Sequence, residues 1–138
     1  MSIKYLLDTN VVSETLRPKP SPRILARLKS HQDEIAIPSI VWHELWYGAK
    51  RLDASKKQKA IELYLTQVLE PAVPILPYDA QAALWHALER ARLARQGKTP
   101  PFADGQIAAI AHVNDLILVT LNRADYTAFQ DLKFENWL

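Results

Sequence analysis

The sequence predicts an α/β fold in which helices cover both faces of a parallel β-sheet. Short apolar segments typical of buried strands alternate with helical segments along the 138-residue chain, and this alternation favours parallel strands joined by helical crossovers. Proline, glycine and helix-capping residues stand at the boundaries between these segments. Because no linker, internal repeat or low-complexity segment interrupts the pattern, we predict a single domain over residues 1–138.

In the first half of the chain, capping residues and prolines define the element boundaries. Ser21 followed by Pro22 is typical of a helix N-cap and a first helical position, and Pro38 closes a strand. Ser55 and Gln58 form a capping-box pattern, which predicts the start of another helix. The predicted elements are a strand over residues 3–7, a short helix after residue 10, a helix from residue 22, a strand over 34–37, a helix over 39–52 and a helix from 55 to about 69.

In the second half, Asp79 is the predicted N-cap of a long helix that ends near Gly97. Pro100 and Pro101 open the next helix, and the most hydrophobic strand of the chain follows it. The predicted elements are a strand over residues 73–76, a helix over 79–97, a helix from 99 to about 113, a strand over 116–121, a loop or helical turn over 122–126 and a last short strand over 132–134.

The composition is typical of a globular protein, with 49% apolar and 23% charged residues. The absence of cysteine excludes disulfides, thiolate zinc sites and cysteine nucleophiles. No signal-peptide or membrane-spanning pattern is present, so we expect a cytoplasmic protein with no membrane contact. The net charge of +2 permits a nucleic-acid partner without requiring one.

Two aspartates are predicted to meet at one edge of the sheet. Asp8 ends the first strand, and Asp125 lies just past the end of the strand over residues 116–121. Ligands of open α/β sheets bind at the carboxyl ends of the strands, so these two residues come together if their strands are neighbours. Asp115 begins the later strand at its opposite end, roughly 15 Å away at about 3.3 Å per residue, and is therefore excluded.

Two further acidic residues lie in helical segments among apolar neighbours. Glu44 falls between Val41 and Leu45, and Asp104 shares a helix face with Ile107. A carboxylate that faces the core is unfavourable unless it is paired or bound to a metal, and several carboxylates together repel one another. A divalent cation removes that conflict, and oxygen ligands without His or Cys favour Mg²⁺ or Mn²⁺ over Zn²⁺.

Each acidic residue also has an ordinary structural explanation. Asp8 can cap the short helix that follows it, and Asp104 lies near a helix start, where acidic residues are favoured. Asp125 can be a turn former, and Glu44 can reach water at the boundary of the core. The prediction of a metal site therefore depends on the four residues together.

Four segments of the chain resemble the acidic motifs of a VapC-type PIN domain. In order, these segments are LLDTNVVSE (residues 6–14), IPSIVWHEL (37–45) with Gly48, ADGQIAAIA (103–111) and VTLNRADY (119–126). The ordered set covers essentially the whole chain. Two departures are Leu121, where many members carry a polar or basic residue, and Tyr126, which replaces a frequent Phe.

The resemblance implies a PIN-like three-layer α/β/α fold with a five-stranded parallel sheet. It also implies a ribonuclease that uses Mg²⁺, or Mn²⁺ in its place, and that is the toxin half of a bacterial toxin–antitoxin pair. Such toxins usually form homodimers, sometimes within larger toxin–antitoxin assemblies. A small VapB-like antitoxin holds them inactive and binds operator DNA.

The same resemblance assigns roles to individual residues. The family's catalytic acidic positions fall on Asp8, Glu44, Asp104 and Asp125, of which the first three are the expected metal ligands. Asp125 completes the cluster or orients a water. Supporting residues around these ligands are expected from the polar positions of the same motifs, namely Thr9, Asn10, Thr120 and Asn122. Arg123, beside Asp125, is the expected contact to an RNA phosphate.

Three other classes of protein share single features of this sequence. A PIN-like domain that has lost its acids can act as a catalytically inactive binding module, but all four acids are present here. An aspartyl-phosphate phosphatase also carries an Asp after its first strand, but it normally has a second Asp where this chain has Asn10. A zinc-protease helix would need a second His at position 47, which is Tyr47.

Overall fold

The computed structural model describes residues 2–138. Within this range, short strands form a parallel sheet, and these are β1 (Tyr5–Leu7), β2 (Ile35–Pro38), β3 (Ile75–Leu76), β4 (Ile117–Val119) and β5 (Phe134–Glu135). Their order across the sheet is β3-β2-β1-β4-β5, and each neighbouring pair is parallel. The α/β prediction with a five-stranded parallel sheet is confirmed.

Helices connect the strands, as parallel pairing requires. They are α1 (Thr9–Glu14), α2 (Pro22–Ser30), α3 (Ser39–Lys50), α4 (Lys56–Tyr64), α5 (Glu70–Ala72), α6 (Ala80–Arg95) and α7 (Phe102–Val113). The predicted caps Ser21, Ser55 and Asp79 accept hydrogen bonds from the backbone N–H groups of Ile24, Gln58 and Ala82. In residues 2–138, no helix is both long and apolar enough to cross a membrane. The cytoplasmic location stays a prediction.

Element boundaries and one cap differ from the prediction. Four of the strands are shorter than predicted, so β4 covers only Ile117–Val119 of the predicted 116–121, while β2 keeps the predicted length but is shifted by one residue to Ile35–Pro38. The helix expected to reach residue 69 ends as α4 at Tyr64 and continues as a π-helical turn over Leu65–Leu69. The capping-box prediction was wrong for the side chain of Gln58, which donates to the Ala49 and Leu52 carbonyls and so satisfies the end of α3.

The order of the strands decides where a site can form. The central strands are covered on both faces, since Leu6, Ala36, Ile37 and Leu118 have no exposed surface. From β1 the chain adds β2 and β3 on one side, and then returns to add β4 and β5 on the other. The strand order therefore reverses between β1 and β4, and the carboxyl ends of these two strands form the crevice in which α/β proteins bind ligands.

Candidate active site

An open cavity of about 310 Å³ lies at the carboxyl ends of β1 and β4. The lining residues are mostly polar, and they are Asp8, Thr9, Asn10, Ser13, Glu44, Asp104, Ile107, Asn122 and Asp125. The four acidic residues singled out from the sequence thus surround one space. Asp115, which was excluded, is exposed and ion-paired with Lys133 at 2.7 Å.

Asp8 is the buried member of the cluster. It follows β1 directly, and its backbone N–H donates to the Val119 carbonyl at 2.9 Å, which fixes it between β1 and β4. One carboxylate oxygen, Oδ1, caps α1 by accepting from the Thr9 N–H at 2.8 Å. The other, Oδ2, accepts from the Thr120 hydroxyl at 2.9 Å and the Tyr126 hydroxyl at 3.2 Å. Burial raises the pKa of Asp8, and these hydrogen bonds partly offset the effect.

Glu44 enters the cavity from α3. It lies three residues after Val41 and one before Leu45, both of which are buried, so its half-buried side chain sits at the edge of the core. The Thr9 hydroxyl donates to Glu44 Oε2, while the Thr9 backbone N–H donates to Asp8. Thr9 therefore links two of the carboxylates and fixes their relative position.

Asp104 lies in the first turn of α7 and has the most strongly raised pKa of the four acidic residues. Burial, followed by the negative charges of Asp125, Asp8 and Glu44 in that order, raises its pKa from 3.8 to about 6. Asp125 stands on the 3₁₀ turn Arg123–Asp125 and is exposed. The cavity therefore concentrates negative charge. Within residues 2–138, no hydrogen bond or ion pair joins a basic side chain to any of these four carboxylates.

The donor set fits a hard divalent cation. The charged side chains that line the cavity are all carboxylates, which favours Mg²⁺, Mn²⁺ or Ca²⁺ over softer metals. No group of three acidic, His or Cys side chains in residues 2–138 lies close enough together to hold one metal ion directly. Mg²⁺ usually keeps several waters and takes only one or two direct carboxylates, so an open carboxylate-lined cavity suits it without closer convergence.

The polar residues expected to support the acids have different placements. Thr120 is fully buried and holds Asp8, and it also accepts from the Asn122 N–H at 3.0 Å. Asn10 lines the cavity, but its Oδ1 accepts from the Leu121 N–H at 3.2 Å and so ties α1 to the chain after β4. Arg123 is outside the cavity lining, with its guanidinium 5.5 Å from the ring centre of Phe134.

Two contributors were missed from the sequence. Tyr126 is 1% exposed and donates to Asp8, although the sequence marked it only as a variation on Phe. Its position directly after Asp125 was the available signal. Ser13 lines the cavity one helical turn after Thr9, and the four-residue spacing on α1 placed both on one face.

Comparison with known proteins places this site in a family. A model of the PIN domain matches residues 5–133. The chain belongs to the PIN-domain family. Toxin FitB of Neisseria gonorrhoeae is 36% identical over 135 residues, covering 96% of this chain and 97% of FitB. The tRNA(fMet)-specific endonuclease VapC of Shigella flexneri is 33% identical over 136 residues, covering 98% of each chain.

Solved structures agree with this assignment. FitAcB from Neisseria gonorrhoeae superposes with a TM-score of 0.87 at 35% identity, covering 96% of each chain. DNA-bound VapBC from Salmonella typhimurium superposes with a TM-score of 0.85 at 31% identity, covering 99% of each chain. The VapC-type resemblance drawn from the four motifs is confirmed, and PIN-domain nucleases of this type generally depend on a divalent metal.

Proposed function

We propose that this PIN-domain protein is an Mg²⁺-dependent RNA endonuclease and the toxin of a VapBC-type pair. The observation that carries the proposal is the cavity between β1 and β4, which is lined by four carboxylates and in which the pKa of Asp104 is raised to about 6. Relatives that match this chain over nearly its full length are named endonuclease VapC and ribonuclease VapC2. The intact acidic set does not favour an inactive binding module.

In this proposal Asp8, Glu44 and Asp104 hold the cation, directly or through water, and Asp125 completes the cluster. A bound Mg²⁺ supplies stabilisation of the negative charge on the scissile phosphate and acidifies water at the site. The residues of the chain prepare the site, since Thr120 and Tyr126 hold Asp8 Oδ2 and Thr9 orients Glu44. Asn10 and Asn122 shape the rim, and Arg123 contacts an RNA phosphate beyond it.

RNA cleavage under defined metal conditions tests this function. The purified protein should cleave members of a panel of structured and unstructured RNAs with Mg²⁺ or Mn²⁺. It should not cleave with Ca²⁺ alone or with chelator. Absence of cleavage of every RNA in Mg²⁺ and in Mn²⁺ would count against the proposal. Transfer of phosphate from a small phosphodonor to an aspartate would favour the phosphatase class instead.

A VapB-like antitoxin is the proposed protein partner, and operator DNA is bound through it. Structures of similar proteins are described as FitAcB and as DNA-bound VapBC. An apolar groove of about 280 Å³ supports such docking, with Leu25 and Val68 among its exposed apolar lining residues. A short reading frame beside this gene should encode a protein that co-purifies with this chain and suppresses RNA cleavage. A co-expressed product that neither binds nor inhibits would contradict the pairing.

A homodimer is the proposed assembly of the toxin. Leu84 and Leu88 lie one turn apart on α6 and are 63% and 62% exposed, so they form a pair of neighbouring apolar side chains that a dimer interface would cover. Sedimentation of the purified chain should give about twice the mass of 15.7 kDa. Leu84→Glu should shift the mass to that of the monomer. A monomeric wild-type protein would contradict the proposed assembly.

A further inference from the structure

The helix that carries Asp104 is packed against a buried histidine of the preceding helix. His86 on α6 is 2% exposed, and its Nδ1 lies 2.7 Å from the Tyr78 hydroxyl. Its Nε2 is also buried but has no hydrogen-bond partner in the described residues. A buried polar atom without a partner is costly. Hydrogen bonding at Nε2 therefore does not explain why a histidine occupies this buried position.

The reason lies in the contact between His86 and Gly105. A Cβ atom built on Gly105 would lie 2.1 Å from His86 Nε2 and 2.5 Å from His86 Cδ2. These atoms belong to a rigid ring whose other nitrogen is anchored by Tyr78, so the ring has little freedom to give way. The ring therefore rests on the bare backbone of α7, at the residue directly after Asp104.

The same ring also holds the start of α7. Phe102, the first residue of the helix, has its ring centre 4.8 Å from that of His86. The Arg90 guanidinium lies 5.1 Å from the ring centre of Phe102. Phe102 and Gly105 flank Asp104 in the sequence, and His86 contacts both of them. The position of the His86 ring therefore sets the position of the first turn of α7.

We propose that His86 is a positioning residue: by resting against Gly105, it sets the distance of the first turn of α7 from α6 and thereby places the Asp104 carboxylate in the cavity. This inference rests on the proposed metal-dependent function for its consequence. The contact is specific to this helix. Gly48 on α3 follows Glu44 by one turn, yet a Cβ atom there would meet nothing within 4 Å.

Alanine substitution at the two glycines tests the inference. Gly105→Ala should displace α7 and weaken Mn²⁺ binding, measured by electron paramagnetic resonance, by roughly 10-fold or more, as loss of residues that orient metal ligands does. Gly48→Ala is the matched control and should leave Mn²⁺ affinity unchanged. His86→Ala should weaken binding by removing the support.

The double variant His86→Ala with Gly105→Ala separates positioning from general damage. The added methyl then occupies space vacated by the ring, and alanine is the better helix former. Its Mn²⁺ affinity and its melting temperature should therefore exceed those of His86→Ala. If Gly105→Ala alone does not fold, the comparison of the double variant with His86→Ala still tests the proposal. The proposal requires Gly105→Ala to increase the Mn²⁺ affinity of a protein that already carries His86→Ala.

Two results would overturn the inference. One is a Gly105→Ala variant that folds and binds Mn²⁺ as the wild type does. The other is a double variant that does not bind Mn²⁺ more tightly than His86→Ala. If the wild type itself bound no Mn²⁺, the proposed function would fail, and the carbon resonance of the Asp104 side-chain carboxyl group would decide the inference. It should shift in Gly105→Ala and move back toward its wild-type position in the double variant, and an unshifted resonance would refute the positioning role.

Discussion

Asp104→Asn should stabilise the metal-free protein while removing its activity. In the wild type, the Asp104 carboxylate must ionise near Asp125, Asp8 and Glu44, and burial together with these charges raises its pKa from 3.8 to about 6. In the unfolded chain the same group ionises at its ordinary pKa. The folded state therefore holds more protons than the unfolded state between these values, and its stability falls as the pH rises through that range.

The size of the effect follows from the pKa. One pKa unit corresponds to about 1.4 kcal/mol, so the upper limit is roughly 3 kcal/mol at pH values above 7. Asp104 is only half-buried, and solvent screening reduces the expected gain to about 1–2 kcal/mol. For a chain of this length such a gain raises the melting temperature by roughly 3–6 °C. Well below pH 3.8 the gain should vanish, because Asp104 is then protonated in both states.

Thermal unfolding with chelator at several pH values measures this difference. The melting temperature of Asp104→Asn should exceed that of the wild type at pH 7.5 and match it near pH 3, below both pKa values. Added Mg²⁺ should stabilise the wild type and narrow the gap. Asp115→Asn is the control, because Asp115 is exposed, is paired with Lys133 and has a positive φ of 54° that Asn also tolerates. An Asp104→Asn variant less stable than the wild type at pH 7.5 would refute the charge-repulsion account.

Three further predictions concern the hydrogen bond from Thr120 to Asp8, the Ser55 N-cap of α4 and the pH dependence of RNA cleavage. Thr120→Val leaves Asp8 Oδ2 and the Asn122 N–H without the Thr120 partner, so urea unfolding should show a loss of about 1–3 kcal/mol. The control Thr127→Val, at an exposed hydroxyl, should change little, and equal losses would contradict the buried role. Ser55→Ala should lower the free energy of unfolding by about 1 kcal/mol without changing RNA cleavage. An unchanged midpoint of urea unfolding would contradict a stabilising role of Ser55 as the N-cap of α4. At limiting Mg²⁺, cleavage should rise with pH through about 6, because the cation competes with the proton on Asp104. A rate independent of pH between 5 and 7 would contradict this.

Local sequence patterns were sufficient to predict the fold class and to select the four acidic residues of the cavity. Asp8 and Asp125 follow apolar strands, and strand pairing at β1 and β4 brings their strand ends together. Glu44 and Asp104 were found because a carboxylate among apolar helical neighbours needs an explanation. The catalytic and metal-binding roles of these residues, and the contact of Arg123 with RNA, stay predictions.

Features that depend on tertiary contacts were not predictable in this way. The hydroxyl of Tyr126 reaches Asp8 across 118 positions of sequence, and nothing local to Tyr126 specifies that partner. Gln58 fits a local capping box, but its side chain instead satisfies carbonyls at the end of α3, a competing partner that only the fold supplies. The contact between His86 and Gly105 likewise joins two helices whose separation no sequence period encodes.

Cleavage of RNA by the Asp8→Asn variant tests the central claim most directly. Asp8 is the buried carboxylate at the junction of β1 and β4, and Asn preserves its size while removing its charge. With folding verified by circular dichroism, we predict that the wild type and Asp115→Asn cleave RNA in Mg²⁺ and that Asp8→Asn does not. Cleavage by folded Asp8→Asn at the wild-type rate would contradict a mechanism based on this carboxylate cluster.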